Sequence, residues 1–422
     1  MSPSDRDTLL ARRQRLLGGS YRLFYEQPFE PVRGEGVWLF DARGERYLDA
    51  YNNVASIGHC HPAVVRAIAE QSARLNTHTR YLHPAILDYA EDLLGEFPDG
   101  LDNLTMTCTG SEANDLALRV ARCNTGGTGI LVTRWAYHGV TSALAEVSPS
   151  LATGLPTAEH VRLVEPPDRY RPGVGFVASV RAALDDLHAH GIRPAALLTD
   201  GIFSSDGVFS PAPGELAEAA ALVRAAGGLY IADEVQAGFG RTGHQRWGFQ
   251  RGGVIPDLVT LGKPMGNGHP VAGVVGRSAL FDAFGRQQRY FNTFGGNPVS
   301  CSAAHAVLRV LREEGLQDNA REVGGYLHQG LLELASRHPL IGDVRGEGLF
   351  IGVDLVSDRD HRTPDAEAAR AVVNGMRERR VLISATGPGA NVLKIRPPLV
   401  LRREQADMLL ERLDDTLRLC LE

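Results

Sequence analysis

The sequence predicts an α/β fold, with a large domain built on a mainly parallel sheet and a smaller α+β domain after it. Two observations carry this. Short apolar runs alternate with helical patterns from about residue 104 to 275, as in successive βαβ units. The runs are also continuous rather than alternating, as in strands covered on both faces.

Two of these runs organise the rest. Leu229-Tyr230-Ile231-Ala232 stops at Asp233, and Leu258-Val259-Thr260-Leu261 leads to Lys263. Ligands of such sheets gather at the carboxyl ends of the strands, so an acid and a lysine there are two halves of one site. A lysine at a strand end is ordinarily a charge leaving the core. Here lysine is scarce: among 44 Lys and Arg, only Lys263 and Lys394 are lysine. A lysine retained where arginine does the surface work points to Schiff-base chemistry with a carbonyl compound. With a carboxylate to hold a cationic ring nitrogen, the combination points to pyridoxal 5'-phosphate.

The elements follow in order. LLARRQRLL near the N-terminus has an amphipathic helical pattern. Residues 21–50 alternate apolar and polar groups, which fits two strands joined by a turn at Ala42-Arg43-Gly44. His61-Pro62 opens a helix, since proline is tolerated in the first turn. Leu104-Thr105-Met106-Thr107 reads as a strand, and Thr109-Gly110-Ser111-Glu112 after it as a helix start. Such a start is also a place to hold a phosphate, although an ordinary N-cap explains the segment on its own. Ile130-Leu131-Val132 is a strand leading to Trp135-Ala136-Tyr137-His138-Gly139. Residues 148–175, rich in Pro, Gly and charge, read as surface. A helix over 181–191, a strand ending at Asp200 and a helix over 215–226 precede the strand that stops at Asp233. Gly238-Phe239-Gly240-Arg241-Thr242-Gly243 satisfies G-x-G-x-x-G but is followed by HQRWGFQRGG, not a helix, so a dinucleotide site is rejected. After Val271–Val275 comes a Gly-rich loop, Tyr290 to Pro298, and a helix to about Glu314. VRGEGLFIGVDLV then reads as strands, 366–379 as a helix, ANVLKIRPPLV as a strand and 403–421 as a helix. The expected divisions are an N-terminal segment 1–60 packing with the small domain, a large cofactor-binding domain 61–318 and a small domain 319–422.

Composition narrows the function. The 422 residues are 43% hydrophobic and 22% charged with net charge -6, an ordinary globular balance that argues against a nucleic-acid binder. No apolar run approaches the roughly 18 residues that span a bilayer, and the N-terminus lacks a signal-peptide core. A cytoplasmic protein is therefore expected. The five cysteines, Cys60, Cys108, Cys123, Cys301 and Cys420, are scattered and odd in number, which fits reduced thiols. His59-Cys60-His61 invites a metal, but three adjacent residues do not easily face one ion, and no second Cys/His pair stands at zinc spacing; no metal is expected.

With these residues in hand, the chain resembles a class III (ω-type) aminotransferase of fold type I, the aspartate-aminotransferase-like PLP-dependent fold. DEVQAGFGRTG, LGKPMGNG, TGSEAND, AYHG, NTFGGNP and KIRPPL occur in the family's order over nearly the whole chain. The resemblance implies that Lys263 carries the cofactor aldehyde and moves protons at the substrate carbon. It implies that Asp233 holds the ring nitrogen protonated, that Gln236 lies near the ring hydroxyl, and that Tyr137 stacks on the ring with His138 beside it. Gly110 and Ser111 would hold the cofactor phosphate, and Thr293 would reach that phosphate from a partner subunit, which implies a homodimer with shared sites.

The reaction is a separate question. Where family transaminases carry E-P-x-Q-G-E-G-G, this chain has Asp200-Gly201-Ile202-Phe203-Ser204-Ser205-Asp206-Gly207. The second Glu of that pattern pairs with a carboxylate-binding arginine, matched here by Arg396; its own position falls on Ser205. An arginine without that partner suits a substrate that always brings an anion, and Arg binds phosphate bidentately. YRLFYEQPF, YNNVASIGHCHPAVV, LNTHTRYLH, YFNTFGGNPVSC and IGDVRGEGLFIGVDL further resemble the ethanolamine-phosphate and phosphohydroxylysine phospho-lyase branch. Animal members of that branch carry lysine where this chain has Arg396, and an arginine also keeps keto-acid binding open. Arg22 and Arg80 are further candidates for a substrate phosphate, with surface ion pairing as the ordinary alternative. The expected activity is a phospho-lyase acting on an amino-alkyl phosphate such as O-phosphoethanolamine; the alternative is an ω-aminotransferase passing an amine to pyruvate or 2-oxoglutarate. A regulatory or structural role without catalysis fits poorly with intact Lys263 and Asp233.

Overall fold

The computed structural model describes residues 3–151 and 157–419. Its centre is a seven-stranded sheet of β1 (Asn103–Thr107), β2 (Gly129–Thr133), β3 (Val161–Val164), β4 (Pro194–Asp200), β5 (Leu229–Asp233), β6 (Leu258–Leu261) and β7 (Ala272–Gly276). The spatial order is β1-β7-β6-β5-β4-β2-β3. Strands β6, β5, β4, β2 and β3 run parallel, whereas β7 is antiparallel to both of its neighbours. The continuous apolar runs of β2, β4, β5 and β6 are buried as expected for strands covered on both faces.

One stretch departs from the sequence reading. Residues 148–175 are not all surface: Val161 and Val164 of β3 are buried, and β3 pairs with β2 along the sheet edge. A four-residue strand set among Pro, Gly and charge is too short to show a period. The next helix also starts earlier than expected, at Phe176–Ala189, with Phe176 buried.

Helix α1 (Gly110–Thr125) buries Ala113, Leu116, Ala117, Val120 and Ala121 toward the sheet. Its N-terminus is fixed by a capping box between Thr109 and Glu112, and Gly126 closes it in the left-handed region at φ 62°. Helix α2 (Pro298–Glu313) is separated from α3 (Leu316–Arg337) by Gly315, at φ 60°.

Beyond α3 a second sheet joins Ile341–Glu347, Phe350–Asp358, Val392–Ile395 and Ser384–Thr386 in antiparallel pairs. The N-terminal residues form strands Arg33–Glu35, Trp38–Phe40 and Arg46–Asp49, the last pairing in parallel with Val381–Leu382. The turn between Phe40 and Arg46 is tied by Asp41, which accepts from the amides of Arg43 and Glu45 at 2.9 and 3.0 Å. The expected terminal helices are Pro3–Leu17 and Arg403–Leu419; positions 420 and 421 of the second lie outside the described residues. No helix among the described residues is long and apolar enough to cross a membrane.

Candidate active site

Asp233 and Lys263 meet at one pocket, bounded also by Gly110, Ser111, Asn114 and Tyr137. Parallel pairing of β5 with β6 brings the two strand ends together, with Asp233 in register with Thr260. Asp233 is only 5% exposed, and a buried carboxylate requires partners. It has three. His138 Nδ1 donates to its Oδ2 at 2.8 Å, Asn114 Nδ2 donates to the same oxygen at 2.8 Å, and the Val235 amide donates to Oδ1 at 3.1 Å. Asn114 is fixed in turn: Thr260 Oγ1 donates to its Oδ1 at 2.7 Å, and its Nδ2 also reaches the His138 carbonyl at 2.8 Å.

Lys263 opens a short 3₁₀ turn that follows β6. Burial holds its amine below the ordinary lysine range; the Arg396 cation pushes the same way, and Asp233 and Asp200 oppose it. A lowered lysine keeps a larger fraction of neutral amine, which is the nucleophilic form.

Gly110 and Ser111 are the first two residues of α1, whose earliest amides have no acceptor within the helix. The pocket wall there tolerates no side chain. A Cβ on Gly110 would lie 3.0 Å from Val235, and one on Gly139 would lie 2.6 Å from Ser111 Oγ. Gly139 also has φ 143°, a conformation L-residues rarely adopt. A helix N-terminus, a glycine-lined cradle, a buried acid and a lysine of lowered basicity fit the phosphate, ring nitrogen and aldehyde of PLP.

Beyond Asp233, Gln236 Oε1 accepts from Arg396 Nη1 and from Asn53 Nδ2, and its Nε2 donates to Ser204 Oγ at 2.7 Å. Arg396 Nη1 also donates to Asn53 Oδ1 at 3.0 Å, and the guanidinium carbon lies 4.5 Å from the Tyr51 ring centre. Arg396 is 6% exposed, with no carboxylate within 4 Å among the described residues. Ser205 is bound through its backbone: its carbonyl accepts from the Gly387 amide at 3.2 Å. Asp200 pairs in register with Asp233, but its carboxylate caps its own turn through the amides of Ile202 and Ser204.

Tyr137 lines the pocket at 37% exposure, and burial raises its phenol above the ordinary range. Thr293 is exposed and outside this pocket, as are Arg22 and Arg80; the Arg80 guanidinium sits 3.8 Å over the Phe291 ring. The residues that sequence reading left without a role are Asn114, Asn53, Tyr51 and Asp200. Asn114 carried a signal, a polar residue set in the apolar stripe of α1; Asn53 and Tyr51 lie in an irregular segment without one.

The rejected G-x-G-x-x-G stretch is a structural loop. Arg241 within it is fully buried and donates to the carbonyls of Leu349 and Pro397. The His59-Cys60-His61 side chains go separate ways: His59 binds Asp49 at 2.7 Å, His61 caps a helix and binds Glu314, and Cys60 is exposed. Cys60, Cys108, Cys123 and Cys301 are free, and Cys420 lies outside the described residues.

This arrangement defines a PLP-dependent enzyme of fold type I. Comparison with known proteins agrees: the family model for class III aminotransferases matches residues 25–417, and the chain belongs to that family. It is 42% identical to "Alanine--glyoxylate aminotransferase 2-like" of Drosophila melanogaster, over 96% of this chain and 85% of that protein. It is 37% identical to "Ethanolamine-phosphate phospho-lyase homolog 1" of Caenorhabditis elegans, over 98% and 94% respectively. Among solved structures it superposes on a phospholyase from Arthrobacter in complex with phosphoethanolamine with a TM-score of 0.93. That pair shares 47% identity over 97% of this chain and 99% of the other.

Proposed function

We propose that the enzyme is a phospho-lyase that converts a small amino-alkyl phosphate, such as O-phosphoethanolamine, to an aldehyde, ammonia and phosphate. The observation that carries this is Arg396, whose hydrogen-bond partners Asn53 and Gln236 are both neutral. An amino-transfer enzyme needs its substrate arginine neutralised when the amino donor brings no anion; an elimination substrate brings its phosphate every time. The phospholyase neighbour and the phospho-lyase relative support the same reading.

When bound, PLP withdraws electrons from the substrate carbon that carries nitrogen. Gly110 and Ser111 amides would hold the cofactor phosphate, and Asp233, held in place by three hydrogen-bond donors, would pair with the ring nitrogen. Tyr137 and His138 flank the ring position, and Gln236 would turn from Arg396 toward the ring hydroxyl. Lys263 removes the proton from the carbon bearing nitrogen. The C–O bond on the adjacent carbon then breaks, and its electron pair leaves on phosphate, which Arg396 receives. The carbon that lost phosphate takes up a proton to become the methyl group, and water supplies the aldehyde oxygen as ammonia leaves. Arg22, Arg80 and Thr293, exposed on the single chain, would act only where two chains pair, Thr293 on the partner's cofactor phosphate. The test is release of phosphate and acetaldehyde from O-phosphoethanolamine in the absence of any keto acid; no release overturns the proposal.

A second reading has its own support. The Drosophila relative bears an aminotransferase name, and Arg396 can bind the carboxylate of pyruvate or 2-oxoglutarate. Under that reading, amine and enzyme alone would leave the cofactor as pyridoxamine phosphate, and turnover would require a keto acid.

A further inference from the structure

The second of the chain's two lysines, Lys394, stands near enough to Lys263 and Arg396 for their charges to act on it. Lys394 lies in the strand Val392–Ile395 and Arg396 directly follows it, two residues on, so alternation places them on the same side. Leu393 and Ile395 between and beside them enter the hydrophobic core on the other face. Lys394 stands opposite Gly352 on one neighbouring strand and Ser384 on the other. A Cβ on Gly352 would meet Val208 at 3.0 Å, so the turn that follows Asp200 covers it.

Lys394 is only 7% exposed, yet its ammonium makes no hydrogen bond or ion pair among the described residues. Burial holds its amine well below the ordinary lysine range; Arg396 and Lys263 push the same way, and Asp200 and Asp206 oppose them. Both acids have other partners: Asp200 caps its turn, and Asp206 accepts from Thr133 Oγ1 at 2.6 Å and the Trp135 amide at 3.0 Å. A nearly buried amine without a partner, beside a guanidinium with only neutral partners, gains its proton most readily when an anion enters next to it.

We propose that Lys394 is a specificity-determining residue: protonated as an anion binds, it joins Arg396 in providing a second positive charge beside the pocket, which selects a doubly charged anion, a phosphate monoester, over a carboxylate. This rests on the phospho-lyase reading for the identity of the substrate, but not for the anion preference itself. Arg396 alone matches a carboxylate; the second charge of a phosphate requires Lys394.

The test uses the PLP-loaded enzyme, whose own phosphate cradle is filled, titrated with inorganic phosphate and separately with acetate, read through the cofactor absorbance. Lys394→Met should weaken phosphate about tenfold or more and acetate by no more than about threefold, while Lys394→Arg should stay near wild type. Lys394→Gln serves as a second neutral variant should the methionine form fail to fold. Unchanged phosphate affinity in the neutral variants overturns the proposal and leaves Lys394 as a counter-charge to Asp200 and Asp206. Equal losses for both anions overturn it too, as does a wild-type enzyme that binds no phosphate. Lys394-dependent phosphate binding without phosphate release from O-phosphoethanolamine contradicts the lyase reading alone. Phosphate release with a KM untouched by Lys394→Met contradicts this proposal alone.

Discussion

Arg396 donates to Asn53 at 3.0 Å through the same nitrogen that reaches Gln236, and no acid sits beside it among the described residues. Burial lowers the guanidinium's proton affinity, but an arginine remains charged in any ordinary buffer. Under the proposed function, an anion of the substrate would be the partner Arg396 lacks among the described residues. Ser205→Glu should supply that partner from within, at the position where family transaminases carry Glu. We expect its kcat/KM for phosphate release to fall by about tenfold or more, with amino transfer to pyruvate rising relative to it. Parallel assays of both reactions check this; an unchanged ratio contradicts it.

Asn114 bridges Asp233, the His138 carbonyl and Thr260. Asn114→Ala leaves the buried carboxylate one donor short and strands the Thr260 hydroxyl. Such losses cost about 1–3 kcal/mol, so PLP should bind roughly ten- to a hundredfold more weakly. Cofactor titration of the apoenzyme measures this.

Gly139→Ala places a Cβ 2.6 Å from Ser111 Oγ and from Leu144, at φ 143°. Ser111 must shift, and the cofactor-phosphate end of the pocket with it. The expected result is weakened PLP affinity, with loss of activity that excess PLP partly restores.

Burial pushes the Asp206 carboxyl up to about 6, against hydrogen bonds from Thr133 and Trp135 that favour ionisation. The folded-state value lies above the unfolded one of about 4. The unfolded chain therefore releases this proton first as pH rises, and the group's contribution to stability is full below about 4 and lost by the time pH passes about 6. Asp206→Asn should flatten the fall in Tm over that window. Thermal melts of both proteins at pH 4, 5, 6 and 7 test it; parallel slopes refute it.

Much of the sheet was legible because β2, β4, β5 and β6 are buried on both faces, which leaves an unbroken apolar run in the sequence. The strand β3 was not, since four residues between Pro- and Gly-rich stretches show no period. For the site, Asp233 and Lys263 stood out as charges ending apolar runs, and the capping pattern around Gly110 was readable locally. The neutral cage of Arg396 was not: Asn53 lies 343 positions from Arg396, and long-range backbone pairings, Ala50 with Leu382 and Arg396, and Ser56 with Leu399, bring that segment near. Lys394 was visible as a scarce residue, but its lack of a partner is a property of the fold.

The roles proposed for Asp233 and Lys263 are the same in either reaction. Lys263→Ala should abolish turnover and the visible absorbance of the lysine-bound cofactor in a lyase and an aminotransferase alike, so persistence of both would displace Lys263 from the site without deciding between them.

Elimination is measured by inorganic phosphate released from O-phosphoethanolamine by the PLP-loaded enzyme, with and without pyruvate. Multiple turnovers of phosphate and acetaldehyde are expected at the same rate in both. No phosphate release, or turnover only when pyruvate is present, would contradict it.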